Sequence, residues 1–408
     1  MPILSNDMAD FKQHWLSFVC FFGVIASAFA DVHLYFFDVG QGNCILLRNE
    51  TNALIIDAGS LSCGGRPATK FDDLKEILKN CLGEKAKIES IILTHQDVDH
   101  KNLVMDILGC KEIVGSDVPI FSIEPAKSVR SKAYPNLIKW DSKSCVGKKD
   151  LKEIPHSAFE IYEDGIEYIE KFLDTLFSEG EDPLVSRFHF LKANWSTFPL
   201  AQRIATNDTC LVFSFEYSGI KILFTGDTTG DALDNYIGGQ ENPVYNAHNR
   251  EVIANTHVFV VPHHGSDNEW CWRWALNVVK NSPQLITAII NVDPLTSKHD
   301  HPQSWLMDVP WPKSMTISGD THRFFYKRGE ELRYLDIGEN IFTTGCFTKD
   351  GSKFPYIEIS IKDGKLQMPG YIEDLDLKDI SISEPKKKFR KSTAVRRHTH
   401  KTDTTREP

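Results

Sequence analysis

No two cysteines in this 408-residue chain stand in the Cys-x-x-Cys spacing, so a structural zinc knot is not expected. No segment repeats along the chain, which speaks against a repeat architecture. No apolar run reaches the about 20 residues that a membrane-spanning helix needs. The nearest, WLSFVCFFGVIASAFA at 15–30, is shorter and ends in Ala28-Phe29-Ala30 before Asp31. That pattern predicts a secretory signal over 1–30, cleaved after Ala30, with an uncleaved anchor as the alternative. Side-chain cations are scarce ahead of it, where Lys12 stands against Asp7 and Asp10, and a start at Met8 would give a more conventional signal. Losing Cys20 with the signal leaves eight of nine cysteines, an even number that permits disulfides in an exported chain. Cys44 and Cys210, inside strand-like runs, suit buried thiols equally well.

What the chain does contain is ordinary for a globular protein, with 41% hydrophobic and 25% charged residues. The net charge of −10 is unevenly placed. Residues 386–408 hold nine Lys/Arg against Asp403 and Glu407, leaving the tail at net +7 and the rest at −17. An acidic body repels polyanions, whereas such a tail could attract nucleic acid or anionic membrane; a solvated, disordered tail over 371–408 is the plainer expectation.

Apolar runs 32–37, 43–48 and 53–56 read as strands, with Asp38-Val39-Gly40-Gln41-Gly42 in a loop and Asp57-Ala58-Gly59 at a turn. Phe71, Leu74, Ile77, Leu78 and Leu82 form one stripe of a helix over 71–82, followed by a strand at 88–94. This rhythm predicts a layered fold of strands and helices in one domain over 31–370. Residues 110–200 hold one amphipathic helix, about 159–178, among polar segments, and read as an insertion covering the motif edge. Further strands are expected at 209–216, 220–225, 256–261 and 285–292, then short strands and glycine turns over 310–368.

Polar punctuation recurs where these strands end: LTHQDVDH at 93–100, Gly226-Asp227, and Pro262-His263-His264-Gly265-Ser266, with His301 in a later loop. His95, Asp97, Asp99 and His100 pack four donors into six residues. On a strand the first three would share a face; on a tight loop all four could converge. Imidazoles and carboxylates together suit zinc, manganese or iron. Asp227, His263, His264 and His301 supply enough donors for a second ion, and a carboxylate such as Asp227 can bridge two. His33, His189, His248 and His257 are read as ordinary hydrogen-bonded residues.

Taken in order, Asp38 to Gly42, Ile56 to Gly59, Thr94 to His100, Thr225 to Asp227, Pro262 to Ser266 and His301-Pro302 resemble the metallo-β-lactamase superfamily. The nearest likeness is the branch of the ComEC-type competence-channel soluble domain and related secreted hydrolases. The resemblance covers about 32–368 without 110–200. It implies an α+β fold, the αββα four-layer sandwich, with two divalent ions (zinc or manganese) at one edge. In that pattern His95 and Asp97 belong to one ion, Asp99 and His100 to the other, and Asp227 bridges. His264 or His263 completes the set, His301 is a ligand or the acid that protonates the leaving group, and Asp57 orients ligands from behind. Asp97 stands where most of the superfamily carries histidine, and Lys101-Asn102 replaces a glycine-rich helix start. Asn207 is a weaker site candidate.

The expected activity is a secreted binuclear phosphodiesterase in which a metal-bound hydroxide attacks phosphorus, with Asp99, His263 and His301 nearest the chemistry. Partners would be a phosphodiester or other small hydrolysable substrate, with nucleic acid reachable through the tail and no stable membrane insertion after cleavage. The alternatives are a lactone or lactam hydrolase and a metal-stabilised binding scaffold.

Overall fold

The computed structural model describes residues 31–62, 68–95, 97–116, 118–122, 137–139, 162–178, 186–191, 207, 210–237, 243–267, 270–294, 297, 301–315, 322–328, 331–337, 339–345 and 355–368. The expected signal and basic tail lie outside these residues.

Strands β1 (Val32–Phe37), β2 (Cys44–Arg48) and β3 (Asn52–Ala58) form an antiparallel meander. Helix α1 (Phe71–Leu82) then crosses to β4 (Lys87–Leu93), which pairs with β3 in parallel. Helix α1 follows its sequence stripe: Leu74, Leu78, Cys81 and Leu82 are buried, and Gly83 ends it with φ at 69° and its N–H on the Lys79 carbonyl. Two short helices, α2 (Val98–Lys101) and α3 (Val104–Gly109), come next, then β5 (Pro119–Ser122) and β6 (Leu137–Lys139) at the far edge. Helix α4 (Tyr162–Phe177) leads to β7 (Ser186–Phe190), then the hairpin β8 (Phe213–Tyr217) and β9 (Ile220–Phe224).

Helices α5 (Gly230–Ile237) and α6 (Pro243–Ile253) precede β10 (Val258–Val260), and α7 (Trp272–Asn281) precedes β11 (Thr287–Ile290). The hairpin β12 (His322–Arg328) and β13 (Glu331–Ile337) stands apart from the strands that finish the sheets, β14 (Ile341–Thr343), β15 (Tyr356–Lys362) and β16 (Lys365–Gln367). One sheet has the order β16-β15-β1-β2-β3-β4-β5-β6, the other β14-β11-β10-β9-β8-β7.

Three apolar clusters make the four layers. Between the sheets, Leu34, Ile45, Ile56 and Ile92 face Phe213, Phe224, Val260 and Ile289. Outside the first sheet, α1 and α3 cover Leu46, Ile55 and Ile91; outside the second, Leu233, Val252 and Trp274 cover Leu223, Phe259 and Ile290. Each such side chain removed from water contributes about 1.5–3 kcal/mol before chain entropy is subtracted. The described residues form the expected α+β sandwich, two sheets face to face with helices on both outer faces.

The described parts of 110–200 are built into this frame. Strands β5 and β6 extend one sheet, β7 extends the other, and Ile166, Ile169, Leu173 and Phe177 of α4 enter the inter-sheet core. The strand expected over 209–216 begins only at Phe213. Just before it the Val212 carbonyl still accepts from Leu191 N at 2.8 Å, whereas the Leu211 N–H crosses the sandwich to the Thr94 carbonyl at 2.7 Å. Cys44, Cys81, Cys110, Cys210 and Cys271 are buried and stand outside any disulfide. Among the described residues no helix is long and apolar enough to cross a membrane.

Candidate metal centre

Strand β4 ends at Leu93 and the chain turns at once, so LTHQDVDH is not one extended run. His95 follows the strand, while Asp99 and His100 lie in α2 and are buried. Helix α2 is fixed by close backbone approach. A Cβ on Gly59 would stand 2.3 Å from the Asp99 carbonyl oxygen and 2.3 Å from His100 N. Asn102 completes the anchor, accepting from Ser60 N at 2.9 Å and donating to the Ser60 carbonyl at 2.7 Å. The departure from a glycine-rich helix start thus places a side chain that ties α2 to the turn after β3.

Asp227 arrives from the other sheet, on the turn after β9. Gly226 there has φ at 53°, and a Cβ on it would meet Thr94 at 2.7 Å. The next strand end supplies three consecutive left-handed residues, His263 (φ 50°), His264 (φ 54°) and Gly265 (φ 76°). Left-handed backbone costs a non-glycine residue about 1–2 kcal/mol. Backbone bonds hold it: His263 N–H to Gly226, Ser266 N–H to His263 and Gln303 N–H to Gly265, at 3.0, 2.8 and 3.0 Å.

One donor atom each from Asp99, His100, Asp227 and His264 lies within 4.8 Å of the other three, and all four residues are buried. His264 Nε2 is 3.5 Å from both Asp99 Oδ2 and Asp227 Oδ2. His100 Nε2 is 3.1 Å from Asp227 Oδ1 but not aligned with it as a hydrogen bond. Two further nitrogens stand more loosely about Asp227 Oδ2: His95 Nε2 and His263 Nε2, each at 3.9 Å. Asp97 Oδ2 is 3.6 Å from His95 Nε2, and its side chain is 45% exposed. His301 is buried beside them, its ring centroid 5.9 Å from that of His263 and 6.2 Å from that of His264. For Asn207 the structure gives a backbone contact, its carbonyl 3.4 Å from Cys210 N.

The hydrogen-bond pattern says which way each imidazole faces. His264 Nδ1 donates to the Asn291 carbonyl at 2.6 Å, and His100 Nδ1 donates to Asp57 Oδ2 at 2.8 Å. Thr94 gives its one hydroxyl hydrogen to Asp57 Oδ2 at 2.7 Å, so its oxygen accepts from His95 Nδ1 at 3.2 Å. All three rings thus engage Nδ1 outward and aim Nε2 inward, where His95, His100 and His264 Nε2 are buried with no hydrogen-bond partner. Buried polar atoms seldom go unpaired, and an outward-bonded Nδ1 is the usual support of an Nε2 metal ligand.

Electrostatics agree. Burial acts to raise the Asp227 carboxyl, but His100, His264 and His263 outweigh it and hold it well below the usual range. Asp99 is also lowered: burial opposes this, and His264 and His100 overcome it. Burial pulls His100 down, yet Asp227 and Asp57 push it well above the ordinary value; His264 is raised against burial by Asp227 and Asp99. The carboxylates therefore draw positive charge into the cluster, as a cation site requires. His263 is lowered, chiefly by burial.

Sequence reasoning did not single out Asn43, Asn291 or the Thr94 hydroxyl. Each is a polar residue at the edge of an apolar run, the same signal that marked the histidines.

Residues 37–107 match the family model described as Metallo-beta-lactamase superfamily, a stretch holding Asp57 and the His95–His100 half of the site. Among curated proteins none matches the chain. Solved structures similar in part include the metallo-beta-lactamase fold protein YhfI from Bacillus subtilis, 13% identical, covering 57% of this chain and 70% of that one, with a TM-score of 0.30. A diphosphatase from the PhnP family is 10% identical, with 60% of this chain and 71% of that one covered and a TM-score of 0.28.

Proposed function

We propose that this protein is a metal-dependent hydrolase acting on phosphodiesters, and that Asp99, His100, Asp227 and His264 hold one divalent ion, zinc or manganese. His95 and Asp97 would hold a second ion, sharing Asp227. The observation that supports this is the inward convergence of three unpartnered Nε2 atoms on a carboxylate kept ionised. A divalent ion held there would supply Lewis acidity, lowering the pKa of water and neutralising charge on a phosphoryl oxygen.

The chain's own groups do the rest. Asp57, Thr94 and the Asn291 carbonyl fix the ring planes, so the inward nitrogens need no reorganisation when they bind. His263, held neutral by burial, can take up or return a proton beside Asp227. His301, next to His263, is the donor for the leaving oxygen. Asp97 in place of a histidine favours phosphodiesters over lactams, through the likeness to the ComEC-type branch. The run at 15–30 supports export, and the basic tail supports contact with nucleic acid.

Elemental analysis of the wild type beside Asp227→Asn, with assays on a generic phosphodiester, a lactam and a lactone, tests this. About two ions per chain, falling to one or none in the variant, together with diester turnover lost in the variant, is expected. Unchanged metal content in Asp227→Asn would sink the site. Metal with lactam or lactone turnover alone would move the activity to that chemistry, and metal without turnover would leave a binding scaffold.

A further inference from the structure

Asn43 and Asn291 are 248 positions apart, one just before β2 in the first sheet and the other just after β11 in the second. Both are buried. Asn43 Nδ2 donates to Asp57 Oδ2 at 2.8 Å, and Asn291 Nδ2 donates to Asn43 Oδ1 at 2.6 Å. A carboxylate can only accept, so the first bond fixes the amide orientation of Asn43, and that in turn fixes Asn291. Asp57 also takes the Nδ1 hydrogen of His100, and the Asn291 carbonyl takes that of His264. The result is an unbroken chain, His100–Asp57–Asn43–Asn291–His264, joining the two buried histidines that face Asp227 from opposite sheets.

The backbone of Asn43 enters the same support. Its N–H donates to the Asp99 carbonyl at 2.9 Å, and its carbonyl accepts from Gly59 N at 2.9 Å. The preceding loop is stitched to both sheets, since Gln41 bridges to Leu61 and to Val292, and Asp293 N–H bonds to the Gly40 carbonyl at 3.1 Å.

We infer that Asn43 is a positioning residue that sets the inward aim of His100 and His264 together, making the two halves of the centre a single metal-binding unit. This rests on the metal-centre reading above. Removing the Asn43 amide takes one donor from Asp57, which keeps those of Thr94, and leaves the Asn291 amide without its acceptor, so the support of His100 loosens through Asp57 and that of His264 through the Asn291 backbone.

The test uses the full chain, stripped of metal and titrated with zinc against a chromogenic chelator, with the visible spectrum of the cobalt-loaded protein as a second readout. In Asn43→Ala, zinc affinity is expected to fall about 10–100-fold and the cobalt bands to shift. Asn291→Ala keeps the carbonyl that holds His264 but removes the donor to Asn43, and is expected to move both readouts in the same direction. A merely structural role would lower thermal stability while leaving the affinity and cobalt spectrum of the folded fraction unchanged. A folded Asn43→Ala with wild-type affinity and spectrum overturns the inference; should that variant fail to fold, Asn291→Ala decides by the same criterion. A wild type that binds no zinc overturns the metal centre itself, and the inference with it.

Discussion

Asp57 Oδ2 accepts the Nδ1 hydrogen of His100 at 2.8 Å while Asp57 itself sits at φ 56°, a left-handed residue at the end of a strand. The register explains how it gets there: Cys44 pairs with Ala58 and Ile45 with Ile56, so Asp57 is the extra residue of a bulge. The bulge turns its carboxylate inward, where it also accepts from Thr94 N, the Thr94 hydroxyl and Asn43. Asp57→Ala would leave these donors buried and unpaired, at about 1–3 kcal/mol each when uncompensated. We expect the metal-free variant to lose about 3–5 kcal/mol in urea unfolding. A loss below about 1 kcal/mol would show that the donors find other partners.

Gly59 tests the backbone side of the same anchor. With Asp99 carbonyl atoms 2.2 and 2.3 Å from where a Cβ would stand, Gly59→Ala must push α2 away from β3. Overpacking of this kind typically costs about 1–3 kcal/mol. Metal content should fall along with stability, since Asp99 and His100 ride on α2. Retention of full metal content at unchanged melting temperature would contradict the close approach.

The two donor groups around Asp227 should differ in how tightly they hold an ion. Asp99, His100 and His264 are buried and their rings are fixed, whereas Asp97 is half-exposed and its carboxyl is lowered chiefly by His95 alone. Asp97→Ala is expected to remove no more than one ion equivalent and to leave the other bound through dialysis. Loss of all metal in that variant, measured by elemental analysis, would mean the groups are not separable.

A pH effect is expected away from the centre. His257 is lowered from its ordinary value by burial, and its Nδ1 accepts from Lys221 N at 3.1 Å. A histidine kept neutral in the fold binds fewer protons there than in the unfolded chain. Its contribution is therefore complete above the unfolded pKa of about 6.5 and declines as pH falls from there toward the lower folded value. Wild type should lose more stability between pH 7.5 and 5.5 than His257→Gln does, compared by denaturant midpoints. Equal losses would show that this histidine protonates freely in the folded protein.

Much of the centre was legible because its donors are polar residues at the ends of apolar strands, and strand ends are where a layered fold gathers its chemistry. Periodicity placed α1 and β4 nearly to the residue. It ran past the start of the strand at Cys210–Leu211, where the apolar run continues but the Leu211 N–H crosses to Thr94 instead of joining the ladder. It also passed over β7, where Ser186, Phe188 and Phe190 alternate inward, because five residues among polar segments offer little pattern. Asn43 and Asn291 were hidden for another reason. Their partners are a carboxylate 14 positions away and each other, and no local spacing encodes a bond between two sheets.

Strand β1 lies between β2 and β15, with Val32 opposite Ile361 and Phe37 opposite Tyr356. A chain emerging from its N-terminus must therefore hold its first described strand half-paired until more than 300 further residues have been made. Such non-local pairing is slow to form, because a long loop must close before any contact rewards it. The histidines and aspartates that face Asp227 are also spread across both sheets, from His95 to His264. If the proposed centre holds an ion, its capture then belongs to the end of biogenesis: a nascent chain carries the donors but not the cage, and the metal supply where folding is completed would fill it.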